Sequence, residues 1–498
     1  MSDPNDLKQP KEGAMISSDL KQFSNLPDWL ALSKDQDRTY QVLSRDIPEI
    51  ADGRIILKKC KIGHVQYREG SWPNRCTLKY RVSGEPEEKS IELNGILYPP
   101  GVIPGDHPIV EGIFGTEEWH AVLPELNLEL TPLEPETELV AFEFLTNPEK
   151  ARGFLERSLR SASPAYRDVQ IQSCNPEIAR YKPGDRCTIL YHLDYAPEMR
   201  TDVHAPSILV AKTTRQEKER NAFEALSALW SASFGRSGPV RIAEPIAYDP
   251  DLKVFVQGPV WEEQTLADLF LSALDEETPE TLRVFSESMQ KTAEGLADLH
   301  QSGVRIGQQV SWGDEMQEVD DTLTPLYMVF PDLSPAAAPF LEQIQRLEAV
   351  TSPDPFVPSH GTFRPVQVLL NKGEISFIDF DSFCQSEPAR DLSMFLTSLM
   401  TISLASASSD KKKDPDRRLA DPAYWDARFE QVSSICDQFL AAYERRRPVS
   451  RQRVTIWEAL NLFYLVVTGW TKVKTSEVAL LVRLLDRFLI KSRLFEAG

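Results

Sequence analysis

The sequence predicts an α+β protein whose strand-rich first part feeds a mainly helical second part. Three observations carry this: period-two alternation of apolar residues between Ile55 and Leu97, a related strand pattern between Tyr181 and Val210, and helical spacing from Thr278 onward. A small β-rich lobe leading into a larger helical one, with a further β-rich domain ahead of both, is the arrangement this order implies.

At 498 residues the chain has room for two or three domains, each with its own apolar core. A hydrophobic content of 41% and a charged content of 26% are those of a globular protein, and no apolar run approaches the roughly 18 residues that span a bilayer. The polar start, Met1 to Gln22, lacks the basic flank and apolar stretch of a secretory signal, so a cytoplasmic location and no membrane partner are expected. The formal charge of −20 argues against nucleic acid or anionic lipid as partners, while leaving room for a local basic pocket. Cys60, Cys76, Cys174, Cys187, Cys384 and Cys436 show neither a C-x-x-C pair nor zinc-ligand spacing and read as reduced, mostly buried thiols.

In chain order, residues 1–25 read as a disordered tail. Residues 26–160 read as an N-terminal α+β domain that opens on an amphipathic helix between Pro27 and Leu43. Residues 161–256 read as a small lobe, with a helix over Glu217 to Trp230 and a strand pair around Ile242 to Val256. Residues 257–498 read as a helical large lobe, with amphipathic segments at Thr278 to His300, Gln431 to Tyr443, Ile456 to Val467 and Glu477 to Ile490. Ser406 to Arg418, with its run of lysines, reads as a solvated loop.

One internal repeat stands out. Tyr67-Arg68-Glu69-Gly70 followed by Arg75-Cys76-Thr77-Leu78-Lys79-Tyr80 recurs as Tyr181-Lys182-Pro183-Gly184 and Arg186-Cys187-Thr188-Ile189-Leu190-Tyr191, and a third strand follows each copy. This marks the N-terminal domain as a partial duplicate of the small lobe.

The segment with the densest chemistry runs from His360 to Asp391. A loop, Ser359-His360-Gly361-Thr362-Phe363-Arg364, leads into a hairpin turning at Asn371-Lys372-Gly373-Glu374, and the return strand ends in Asp379-Phe380-Asp381. Two carboxylates at a strand end are hard oxygen ligands for Mg²⁺, whose octahedron waters and phosphates would complete. This segment resembles the H-G-D-x-x-x-x-N loop and D-x-D strand of the aminoglycoside phosphotransferase and choline kinase family. His360 and Gly361 match directly, Asp379 falls on the metal-binding Asp, and Asp391 falls on the helix-start Asp that supports the loop.

Upstream landmarks of that family fall in the same order. Lys212 matches the strand lysine that meets the nucleotide phosphates, with Glu219 and Glu224 as alternative carboxylate partners. Gln257, Gly258 and Val260 fall in the hinge that meets the adenine, and Leu296-Ala297-Asp298-Leu299-His300 matches the helix end before the catalytic loop. The resemblance covers about residues 165–498. It implies a protein-kinase-like two-lobed fold and a phosphotransferase that uses ATP or GTP and Mg²⁺ to phosphorylate a hydroxyl on a small molecule or peptide. In the first repeat copy the residue aligned with Lys212 is Gly95, so residues 50 to about 150 are not expected to bind nucleotide phosphates.

Two positions depart from the family pattern. Thr362 stands where the family has its base Asp, and Gln367 where it has its metal-binding Asn. Gln retains the amide oxygen, but Thr cannot accept a proton at neutral pH. General-base catalysis contributes about 10²- to 10⁴-fold, so a slow kinase is compatible with its loss, with Asp381 a conceivable substitute base and Arg364 either holding a transferring or acceptor phosphate or simply a surface side chain. The alternative is a nucleotide-binding pseudokinase that acts as a scaffold or regulator.

Overall fold

The computed structural model describes residues 19–24, 26–31, 35–68, 71–84, 87–101, 107–132, 139, 141–182, 184–196, 205–215, 218–232, 234–235, 238–276, 278–409, 422–472 and 475–494. The expected tail over residues 1–18, Glu217, and the 410–418 part of the expected loop lie outside them. The chain forms two compact units. One comprises residues 1–135, 312–350 and 459–498, the other residues 136–311 and 351–458.

The first unit holds a six-stranded antiparallel sheet built from β1 (Ile56–Arg68), β2 (Ser71–Gly84), β3 (Glu87–Leu97), β4 (Ile109–Glu111), β5 (His120–Leu123) and β6 (Leu128–Pro132), in the order β1-β2-β3-β6-β5-β4. The helix expected between Pro27 and Leu43 is two helices, Asp28–Ala31 and Gln36–Asp46; the second is capped by the Asp35 carboxylate, which accepts the Arg38 amide. Val42, Leu43, Leu93, Leu97, Trp119 and Leu130 share one buried cluster. In the same unit the indole of Trp470 donates to the Phe23 carbonyl at 2.6 Å and Trp29 stacks on Phe330.

The second unit opens with the short helix Phe142–Thr146 and helix Pro148–Ala162, the latter capped by Asn147, and then builds a five-stranded antiparallel sheet. Its strands are β7 (Ile171–Lys182), β8 (Arg186–Tyr195) and β9 (Ile208–Thr214), then, beyond helix Lys218–Ser231 and a short β10 (Val240–Arg241), β11 (Pro245–Asp249) and β12 (Val254–Gln257); the order is β11-β12-β9-β8-β7. One face packs Cys174, Cys187, Ile189, Tyr191, Leu209 and Ala211 into a core with Leu155 and Leu159 of the preceding helix.

After β13 (Gln264–Thr265) the unit becomes helical, as the spacing predicts. Helix Pro279–His300 starts where Thr278 accepts the Thr281 amide and Pro279 occupies the first turn. Beyond β14 (Val357–Ser359), strands β15 (Val368–Asn371) and β16 (Glu374–Phe377) form the expected hairpin. Lys372 and Gly373 both take positive φ, the two-residue turn whose twist matches the strands it joins. β17 (Cys384–Ser386) pairs with β14, and helix Pro388–Ser409 follows. That helix corrects the loop expected from Ser406, because its backbone continues helical through Ser409. The α+β class, with strands first and helices after, is thus the observed one. Among the described residues no helix is long and apolar enough to cross a membrane. The described cysteines Cys60, Cys174, Cys187, Cys384 and Cys436 are all buried.

Candidate active site

The loop that begins at His360 is fixed before it meets any ligand. Asp391, wholly buried at the start of helix Pro388–Ser409, accepts the amides of His360 at 2.6 Å and Gly361 at 2.8 Å. Its Oδ2 also faces His300 Nε2 at 3.2 Å, and His300 Nδ1 meets the Tyr443 hydroxyl at 2.7 Å. Burial holds the His300 imidazole below its ordinary pKa, against the hydrogen bond and charge of Asp391. Burial alone would push the Asp391 carboxyl up; the hydrogen bond from His300 and the fields of His300, His360 and Arg390 outweigh it and hold the group low. The Arg390 guanidinium binds the Gly361 carbonyl from the other side. Gly361 itself has φ +88°, and a Cβ there would lie 1.9 Å from the Ser382 carbonyl oxygen, so only glycine permits this approach of the two loops.

The second loop carries the carboxylates. Asp379 adopts a left-handed conformation, φ 74°, ψ 52°, at the head of the 3₁₀ turn Phe380–Ser382. Non-glycine residues in this region cluster at functional sites because neighbouring structure must hold them there. Asn221 supplies part of that hold. From helix Lys218–Ser231 its amide donates to the carbonyls of Asp381 at 2.8 Å and Phe383 at 3.1 Å. Neither Asn221 nor Arg390 stands out in the sequence. Arg390 has a signal in its position beside Asp391; Asn221 has none.

The second loop, Asp379 to Asp381, borders a cavity of about 180 Å³ that residues of β7, β8 and β9 also line. Lys212, Glu219, Gln257, Asp379 and Asp381 all line it. Glu219 is 6% exposed and accepts the Thr214 hydroxyl at 2.6 Å. Burial is the main cause that raises its pKa, against the Thr214 hydrogen bond and the Lys212 field. Burial and then the charge of Asp379 raise that of Asp381. Glu224, the other candidate partner of Lys212, is absent from the cavity: it is exposed and paired with Arg220 at 3.0 Å. Of the hinge residues, only Gln257 lines the cavity. The Gly258 amide is engaged by the Glu244 carbonyl at 2.8 Å, and Val260 borders a separate cavity with Trp230 and Trp261.

Gln367 lies beside Asp379 and is 3% exposed. Its amide nitrogen faces Asp379 Oδ2 at 3.3 Å and Thr362 Oγ1 at 3.5 Å, and its buried Oε1 has no hydrogen-bond partner among the described residues. An orphaned amide oxygen next to a carboxylate is a donor set for a hard divalent cation, so these residues fit Mg²⁺. Among the described residues no cluster of three His, Cys, Asp or Glu side chains has metal-binding geometry. Thr362 is half-buried and offers no carboxylate. Arg364 points to solvent and does not line the cavity. His360 is structural: its Nε2–H donates to the Ile378 carbonyl at 2.9 Å, and its ring lies between those of Phe363 and Phe380.

The sequence model of the phosphotransferase enzyme family matches residues 216–449. No curated protein sequence matches the chain. Among solved structures, a glucosamine kinase is similar at 14% identity and a TM-score of 0.43, covering 93% of this chain and 99% of its own. A choline kinase from Cryptosporidium parvum Iowa II is similar at 8% identity and a TM-score of 0.43, covering 69% and 97%. A choline/ethanolamine kinase family protein from Mesorhizobium loti is similar at 12% identity and a TM-score of 0.41, covering 68% and 94%.

Proposed function

Since residues 216–449 belong to the phosphotransferase enzyme family, we propose that this chain is a phosphotransferase that uses ATP or GTP with Mg²⁺ to phosphorylate a hydroxyl of a small molecule or peptide. The observation that carries the reading is the charge gathered in one cavity: Lys212 lines it from the β7–β9 face and Asp379 and Asp381 from the loop after β16, with Glu219, hydrogen-bonded to Thr214 of β9, also in the lining. A metal–polyphosphate complex fits such a cavity, with its anionic oxygens toward the lysine and its cation toward the carboxylates. Asp379 and Gln367 would hold Mg²⁺, which when bound neutralises charge on the phosphate oxygens. The chain's own residues then act by placement. Lys212 draws the phosphates to the strand face, Gln257 borders the nucleotide's place at the end of β12, and Asp391 and Arg390 hold the His360–Gly361 turn rigid. Asp381, a carboxylate that lines the cavity, takes the proton of an acceptor hydroxyl in place of the Thr362 position, which offers no carboxylate.

Thr362 favours the second reading, a nucleotide-binding pseudokinase acting as scaffold or regulator. Thermal denaturation with ATP and Mg²⁺ tests what both readings share: nucleotide at a hundred times its dissociation constant stabilises by about 2.7 kcal/mol. No shift at millimolar nucleotide sinks both. Turnover of ATP with a panel of hydroxylated acceptors, abolished by Asp379→Asn, separates the enzyme from the regulator.

A further inference from the structure

The basic side of the cavity holds more charge than the strand lysine alone. Arg180 of β7 and Arg186 of β8 line it as well. Strand register shows why. Thr188 pairs with Arg180 on one side and with Lys212 on the other, and directly paired residues of an antiparallel sheet project from the same face. Arg180, Thr188 and Lys212 therefore form one row across three strands, and Arg186, two residues before Thr188, shares their face. Arg180 reaches this face through a β-bulge. Ile178 pairs with Ile189 and Arg180 with Thr188, which leaves Ala179 as the extra residue. In an unbroken ladder Ala179 would oppose Thr188, and Arg180 would oppose the buried Cys187 and turn toward the core.

The fold makes little use of either guanidinium. Arg180 has no hydrogen bond or ion pair among the described residues. Arg186 Nε faces Asp185 Oδ2 at 3.6 Å, an ion pair too long for a hydrogen bond, while Lys182 sits closer to that carboxylate at 2.9 Å; among the described residues Arg186 Nε has no hydrogen-bond acceptor. An unmade hydrogen bond on a guanidinium is completed by an anionic oxygen, and the planar fork of arginine matches phosphate in two places at once. The β7–β8 turn also lacks the repeated glycines through which backbone amides cradle phosphates, having Gly184 alone.

We propose that Arg180 and Arg186 clasp the terminal phosphates of a nucleoside triphosphate, holding the transferring end with side chains of the strand face in place of backbone amides. The inference rests on the nucleotide reading above. It is tested by calorimetric titration of the wild type, the Arg180→Gln/Arg186→Gln double variant and the Arg180→Lys/Arg186→Lys double variant with ATP and with AMP, in Mg²⁺. The clasp predicts that the Gln variant loses roughly ten- to hundred-fold in ATP affinity, keeps its AMP affinity, and so loses its preference for ATP over AMP. The Lys variant, which keeps the charge, retains part of that preference. Equal ATP affinity in the wild type and the Gln variant overturns the clasp and leaves the nucleotide reading standing. Parallel loss of ATP and AMP assigns the arginines to shaping the sheet and also overturns it. A wild type that binds neither nucleotide overturns the underlying reading, and the clasp with it.

Discussion

The first and second copies of the repeated strand unit share a backbone plan and differ in what the plan presents. β1-β2-β3 and β7-β8-β9 are both antiparallel meanders with an irregular first strand, and the repeated Arg-Cys-Thr opens the pairing of the middle strand in both. Thr188 pairs with Lys212; Thr77 pairs with Asn94. The register thus corrects the sequence alignment by one position, since Asn94 and not Gly95 occupies the place of Lys212. Burial agrees. Asn94 and Lys212 are half-buried between buried neighbours, Leu93 and Gly95 in one copy, Ala211 and Thr213 in the other. A slip of one residue exchanges the faces of a strand, so text alignment across a loop of unequal length misplaces what hydrogen bonding fixes. Charge at this row, rather than the meander itself, is what distinguishes the second copy and is the ground on which the proposal places the nucleotide there.

The comparison can be broken most strongly at the loops that the second copy faces. Asp391→Ala leaves the amides of His360 and Gly361 and the His300 imidazole without their acceptor, at an expected cost of about 3–5 kcal/mol to the second unit. Denaturant unfolding followed separately for the two units checks this; equal losses in both contradict it. Next comes Glu458, also in the second unit, whose carboxyl burial pushes up to about 8 from 4.5. The folded state then keeps a proton that the unfolded chain releases, so stability falls as pH rises from about 4.5 to 8. Glu458→Gln is expected to remove a loss of about 3 kcal/mol between pH 4 and pH 7. Parallel pH profiles of unfolding for wild type and variant exclude it.

At the repeat itself, Lys212→Ala is expected to weaken ATP binding roughly ten- to hundred-fold, about 1.4–2.7 kcal/mol, while Asn94→Ala leaves it within about two-fold. Equal effects erase the distinction between copies. The smallest contrast is between the two glutamates. Glu219→Gln alters ATP affinity, whereas Glu224→Gln does not, because only Glu219 borders the cavity.

Much of the site is legible in the sequence, and what is not has physical causes. Lys212, Asp379, Asp381 and Gln257 lie in short stretches whose residue types and order carry the pattern, and the Lys372-Gly373 turn declares its own hairpin. Glu219 and Glu224 cannot be separated by sequence. Five residues rotate a helix by about 140°, so one faces the cavity and the other solvent, but sequence spacing does not say which. Arg364 reads as a site residue because of its loop, yet that loop turns it outward. Arg180 escapes notice for the opposite reason: its direction is set by the bulge at Ala179, which leaves no trace in the pattern of residues. Asn221 acts through side-chain bonds to carbonyls some 160 positions away, a distance at which periodicity is silent.

Amide hydrogen exchange with and without ATP and Mg²⁺ tests the central claim most directly, because it reads both copies of the repeat in one experiment. Nucleotide is predicted to slow exchange in β7–β9 and over residues 360–381, and to leave β1–β3 unchanged. Slowed exchange in β1–β3, or none in β7–β9, contradicts the assignment of the site to the second copy.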